Sequence, residues 1–191
     1  MKYDLTQARK CIETLDKRRF DRALLGSGDA FRHIVSLVPL LLHLNHPALP
    51  GYVEDAPAGI ADFTLSNYQQ NFLSKEYPEL VEAVQSAVNS DAVFAPILGI
   101  YVMGSFGSIS QTSASDLDIW ICHQDDLSEQ DQQRLAEKTK KISQWASTYH
   151  VEMHFYLMTQ QRFRNERYSD PLTKENSGSA QYMLLLEEFY R

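Results

Sequence analysis

The amino-acid sequence predicts an α+β chain, with a helical N-terminal region packed on a small mixed β-sheet flanked by helices. Three observations carry that expectation. Apolar residues recur at helical spacing over residues 5–25, as Leu5, Ala8, Ile12, Leu15, the stem of Arg19, Ala23 and Leu24. Three short apolar runs follow much later, "PILGIYVM" (96–103), "DLDIWIC" (116–122) and "VEMHFYLM" (151–158), and read as strands. The clearest helical pattern, residues 128–148, lies between the second and third of them. Helices therefore come first, and strands alternate with helices afterwards.

Taken in order, "GSGDA" (26–30) breaks the first helix, and Asp29 is placed to cap a second at 30–44. Pro39 lies inside that second segment and is expected to kink it. The Pro- and Gly-dense "NHPALPGYVEDAPAGIADF" (45–63) reads as a loop over the surface. Residues 66–76 and 78–89 read as helices, the latter with Pro78 at its first position. In the helix at 128–148, Ser128 followed by Asp131 gives the start, and Leu135, Ile142 and Trp145 mark the inner face. After the third strand come a short helix near 160–164, a polar loop at 165–179 and a closing helix, "AQYMLLLEEFYR". Residues 1–95 thus form the helical region and 96–191 the sheet-bearing core.

Bulk properties narrow the function classes. The 191 residues are 43% hydrophobic and 23% charged, ordinary for a globular protein. A net charge of −7 argues against binding nucleic acid through phosphate contacts alone. Residues 1–22 are the exception: they hold seven Lys and Arg against four acids. A small anion such as a nucleoside triphosphate could be met there, and a solvated basic helix face accounts for the charges equally well. Two cysteines, Cys11 and Cys122, are too few for a disulfide framework or a cysteine-based zinc site, and point to a reducing, cytoplasmic setting. The charged N-terminus has no signal-like apolar stretch, and the longest apolar run, around 34–44, is too short to span a membrane. His43 and His46 lack an accompanying ligand cluster and read as core or surface histidines. Cys122 reads as a small buried apolar residue.

The chemistry concentrates in "MGSFGSISQTSASDLDIWICH" (103–123). On a strand, residues i and i+2 share a face, roughly 6–7 Å apart. Asp116 and Asp118 therefore project together while Leu117 and Ile119 face the core. Adjacent like charges are costly unless a cation offsets them, and Mg²⁺ takes a few carboxylates together with phosphate oxygens and water. Two surface aspartates at a strand end would look the same in isolation. Gly104-Ser105 directly after a strand lets backbone N–H groups approach a phosphate. The following serines and threonines add hydroxyl donors, or simply form a polar connector. Glu152 sits between apolar neighbours on the third strand and reaches the same edge if that strand pairs beside the aspartates. His154 shares its face, either as a partner of that carboxylate or as a surface residue. Trp120 lies on the aspartate face by parity, bordering a ligand or filling the core.

The sequence pattern of strand, Gly-Ser, ten residues, Asp-apolar-Asp-apolar and later apolar-Glu-apolar resembles the DNA polymerase β-like nucleotidyltransferase superfamily. Within it, the 103–123 stretch, with "RFDRAL" (19–24), "SLVPLLLHLNHPALPGYV" (36–53), "GIYVMGS" (99–105) and "LLLEEFYR" (184–191), resembles the N-terminal catalytic part of class I, enterobacterial-type adenylate cyclases. That resemblance implies ATP as substrate, 3′,5′-cyclic AMP and pyrophosphate as products, and two Mg²⁺ ions, with Mn²⁺ as an alternative. It implies Asp116, Asp118 and Glu152 as catalytic metal ligands, and Gly104 and Ser105 as phosphate binders. Arg19 and Arg22 would balance charge on the triphosphate. The attacking hydroxyl belongs to the nucleotide itself, so no nucleic-acid partner is implied. Enzymes of that family are much longer, so a C-terminal regulatory region is expected beyond this chain. Two other functions share the signature: nucleotidyl transfer to a separate hydroxyl acceptor, and nucleotide binding without turnover.

Overall fold

A computed structural model describes residues 5–89, 95–103, 106 and 116–159. Along the chain these form α1 (Leu5–Leu25), α2 (Asp29–His43), α3 (Asn67–Glu76), a 3₁₀ turn (Pro78–Leu80), α4 (Val81–Asn89), β1 (Ile97–Met103), β2 (Leu117–His123), α5 (Glu129–Ser147) and β3 (Met153–Thr159). The class is α+β, as the sequence predicts. The elements expected after residue 159, and the Gly104–Ser105 turn, lie outside the described residues.

The sheet is three-stranded in the order β1-β2-β3. β1 runs antiparallel to β2, whereas β3 runs parallel to β2, so the sheet is mixed. A parallel neighbour requires a crossover, and α5 supplies it. One sheet face is the core face, where Leu117, Ile119 and Ile121 on β2 are at most 3% exposed. α2 provides the opposing layer, with Ile34, Leu37, Leu40, Leu41 and Leu42 buried.

One local expectation is corrected in α2. Asp29 does not cap the helix: Gly28 is the N-cap, with no side-chain cap bond. Asp29 instead occupies the first turn, where its charge complements the helix dipole, and it pairs with Arg32 one turn on. Pro39 lies inside α2, which runs on to His43. Loss of one backbone N–H is tolerated because the flanking apolar residues are buried on the core. α3 begins with a reciprocal capping box between Ser66 and Gln69. The Gln69 amide also donates to the Ser36 carbonyl at 2.8 Å, tying α3 to α2.

The 45–63 segment is a loop, but it does more than lie over the surface: Leu49, Val53 and Ala56 are buried. Backbone bonds from Ala61 N–H to the Ile97 carbonyl (2.9 Å) and from Ile97 N–H to the Gly59 carbonyl (3.1 Å) attach its end to β1. His43 is part of the fastening, because its Nδ1 accepts from the Ile60 N–H at 3.1 Å and its ring stacks on Phe63. Burial lowers the His43 pKa, which keeps that nitrogen available as an acceptor. Lys138, on the inner face of α5, is 1% exposed. Its ammonium donates to the Leu44 carbonyl at 2.8 Å and to Asn45 Oδ1 at 3.1 Å. Asn45 in turn donates to the Val53 carbonyl at 2.7 Å. Gly51 packs against α5: its φ is +85°, and a Cβ there would sit 2.4 Å from Ile142 Cγ1. Gly51→Ala therefore meets both a left-handed backbone and a steric overlap, and is expected to lower unfolding stability by about 3 kcal/mol. Chemical denaturation checks this; a loss below the measurement error would show that the loop shifts freely off α5.

α1 forms over the predicted span but buries little. Ile12 and Leu15 are 59% and 57% exposed, and Ala23 anchors the C-terminal end at 2%. Phe20 lies 5.7 Å from Phe106, which itself stacks near Phe31 of α2 at 6.3 Å. Phe106 is thus a buried contact between the segment after β1 and the two N-terminal helices.

Candidate metal-binding active site

Strand register builds the site. β2 and β3 pair Leu117 with Met153, Asp118 with His154 and Trp120 with Tyr156. The Leu117 N–H donates to the Glu152 carbonyl at 3.0 Å, which fixes that register at the start of both strands. Leu117 and Met153 are buried, so their neighbours project to the opposite face. Asp116 and Asp118 from β2 therefore share a face with Glu152 and His154 from β3. β1 contributes by position: Met103, its last residue, pairs with Asp118, so the chain leaves β1 beside the aspartates. Gly104 and Ser105 follow directly, outside the described residues.

The turn that delivers Glu152 is tightly specified. His150 takes φ 60° at the end of α5. Its N–H donates to the Ser147 carbonyl at 3.0 Å, and the Val151 N–H reaches back to the Ala146 carbonyl at 3.2 Å. These two bonds are a Schellman motif, and Val151 and Ala146 are both buried, as its apolar contact requires. Trp145 and Tyr149, from the same end of α5, surround the His33 ring with Tyr68 and Phe72. The Tyr68 hydroxyl is 2.8 Å from His33 Nδ1. Burial lowers the His33 pKa, partly offset by Glu76.

Among the described residues, one set of side chains could hold a metal ion: donor atoms of Asp116, Glu152 and His154 all lie within 4.8 Å of one another. Glu152 is largely exposed, and its Oε1 is 3.3 Å from His154 Nε2. Asp116 is exposed as well, so both carboxylates have room to close on a cation. This oxygen-rich, accessible donor set suits a divalent ion. Asp118 lies outside that set; its Oδ1 accepts from the Tyr156 hydroxyl at 3.3 Å. Trp120 is 6% exposed, and its indole Nε1 is buried with no acceptor among the described residues.

The structure thus brings Glu152 to Asp116, with His154 on the same face, as the sequence anticipated, and adds Tyr156. The signal for Tyr156 was parity on β3, since 152, 154 and 156 share a face. Lys138 was also missed, although its spacing from Leu135 and Ile142 puts it on the inner face of α5. The two arginines are not brought to the carboxylates among the described residues. Arg19 lines a cavity of about 420 Å³ together with Leu117 and Ile119, on the sheet face opposite the acids. Arg22 is exposed in the last turn of α1. Cys122 is half-buried rather than fully enclosed, and burial raises its thiol pKa. No helix among the described residues is long and apolar enough to cross a membrane.

Comparison with known proteins places this geometry in context. A family described as "Adenylate cyclase NT domain" matches residues 4–191. An adenylate cyclase of Haemophilus influenzae is 61% identical over the whole chain, which covers 23% of that protein. One from Pasteurella multocida is 56% identical, again over the whole chain and 23% of the relative. One from Escherichia coli K12 is 39% identical over 94% of the chain and 21% of the relative. The chain therefore spans between a fifth and a quarter of the length of these relatives. No solved structure matches it. With the family matching from residue 4 to the last residue, and relatives of that name aligned along its length, this chain belongs to the adenylate cyclase N-terminal domain family.

Proposed function

We propose that this chain is the catalytic domain of an adenylate cyclase, converting ATP to 3′,5′-cyclic AMP and pyrophosphate on a polymerase β-like nucleotidyltransferase core. The observation that carries this reading is the approach of Asp116 and Glu152 across the parallel β2–β3 pair, at the rim where β1 ends. In this reading residues 96–191 form the core and 1–95 a helical support, and the protein works in the cytoplasm.

In the reaction, the 3′-oxygen of ATP bonds to the α-phosphorus, the bond from that phosphorus to the bridging oxygen breaks, and pyrophosphate leaves. Asp116, Asp118 and Glu152 hold the divalent ions, for which we propose two Mg²⁺, with Mn²⁺ as substitute. When bound, such ions neutralise triphosphate charge and acidify the attacking hydroxyl. Glu152, exposed just before β3, accepts the 3′-hydroxyl proton. Gly104 and Ser105 cradle the β- and γ-phosphates through backbone and hydroxyl donors. Arg22 is the cation left to balance the remaining negative charge, because Arg19 lies over the opposite face of the sheet. The Trp120 N–H, without an acceptor among the described residues, offers a donor on the same face for the bound nucleotide. ATP is the partner; no nucleic acid is needed, because nucleophile and electrophile reside in one molecule.

Incubating the chain with ATP and Mg²⁺, without added acceptor, tests the proposal by chromatography of the products. Cyclic AMP is the expected product. AMP transfer that depends on an added hydroxyl compound would replace cyclisation with nucleotidyl transfer. A second reading draws support from the short share of the relatives' length: ATP binding without product would make this a nucleotide-binding part whose turnover needs the regulatory region beyond it.

A further inference from the structure

We propose that His154 is itself a metal ligand, and that with Asp116 and Glu152 it forms a mixed imidazole–carboxylate position selecting a first-row transition ion such as Mn²⁺ over Mg²⁺. The inference rests on the reading of Asp116 and Glu152 as metal-holding residues, and adds a donor that changes which ion the position prefers.

Geometry singles out the histidine. Asp118 is the residue paired with His154 across the strands, yet its carboxylate accepts from Tyr156, whereas the His154 ring turns along β3 to Glu152. Two donors bound at right angles to one ion, with bonds of roughly 2.1 Å, sit about 3 Å apart. The Glu152 Oε1 to His154 Nε2 separation is 3.3 Å, close to that spacing. Asp116 completes the set from the neighbouring strand within 4.8 Å, and its exposure leaves it free to move inward. His154 is more enclosed: its side chain is 30% exposed against 73% for Glu152, so the imidazole is the donor more surrounded by the protein.

Chemistry then sets the preference. Mg²⁺ is a hard ion that takes oxygen and retains its waters. An imidazole nitrogen among the donors favours transition ions, which bind nitrogen more strongly. An all-oxygen position built on Asp118 would lack that bias. The chain would accordingly hold Mn²⁺ at concentrations where Mg²⁺ leaves the Asp116 position empty.

The test is Mn²⁺ binding to the 191-residue chain by electron paramagnetic resonance, without nucleotide. Pulsed spectra of the wild-type complex are expected to show coupling to a directly bound ¹⁴N. His154→Gln should remove that coupling and lower the Mn²⁺-over-Mg²⁺ preference in competition by about tenfold or more. Bound Mn²⁺ that is released by Asp116→Asn but shows no nitrogen coupling in the wild type would overturn the role of His154 and leave the carboxylate site standing. Mn²⁺ binding indifferent to Asp116→Asn would overturn both. Because the decisive spectrum is that of the wild type, the result does not depend on whether the glutamine variant folds.

Discussion

Asp116→Asn is expected to reduce cyclic AMP formation by about a thousandfold or more while the chain keeps its fold. The substitution preserves size and hydrogen-bonding atoms but removes one negative charge. Asp116 is exposed and precedes β2, so no buried contact is lost. It is also the side chain through which β2 joins the donor cluster with Glu152 and His154. In the proposed mechanism, losing its charge would remove the attraction that holds a divalent ion against the triphosphate, and Asp118 on β2 does not belong to that cluster. Turnover should be measured at limiting Mg²⁺, with circular dichroism to confirm the fold. Wild-type turnover under those conditions would sink the site assignment. Asp118→Asn should be comparably damaging to turnover, and Glu152→Gln severely so.

Lys138→Ala is expected to lower unfolding stability by about 3 kcal/mol. Truncation to alanine removes three methylenes of a fully buried stem, at about 0.8 kcal/mol each, and the cavity left behind adds to the loss. Two acceptors, the Leu44 carbonyl and Asn45 Oδ1, also lose their donor. Lys138→Met separates the stem from the charge. Burial lowers the lysine pKa from 10.5 to about 8, so the fold disfavours the charged form that the unfolded chain retains. That penalty is present in full below pH 8 and is relieved as pH rises towards 10.5, because the unfolded chain then binds more protons than the folded one. The stability of the wild type relative to Lys138→Met should therefore rise by about 3 kcal/mol across that window. Denaturation curves of both proteins at pH 7.5, 9 and 10.5 measure the difference, and a pH-independent difference would mean that the ammonium is solvated.

The same two positions mark the limit of sequence reading. That Asp116 and Asp118 share a face follows from strand periodicity, which is local and visible in seven residues. The run of helix α5 was equally visible, from its Ser128 start and its Leu135 and Ile142 stripe. The lysine was not, because composition treats Lys as a surface residue unless a buried acceptor is known. Its acceptors, Leu44 and Asn45, lie more than ninety residues away in sequence. Asp29 misled for the opposite reason: a good capping residue was present, but the chain entered the helix one residue earlier through Gly28.

By itself the sequence determined the α+β order of elements, the parity of the acidic pairs on their strands and the family to which the chain belongs. Each is encoded in spacing between near neighbours or in the signature those neighbours form. Only the tertiary structure decided that β3 lies parallel to β2 with residue 152 beside residue 116 and His154 opposite Asp118. It also decided that Arg19 lies over the other face of the sheet, and that the Pro-rich loop is fastened to α5 through Lys138 and Gly51. Pairing and register depend on contacts between segments far apart in the chain, and side-chain periodicity within one segment carries no information about which other segment it will meet.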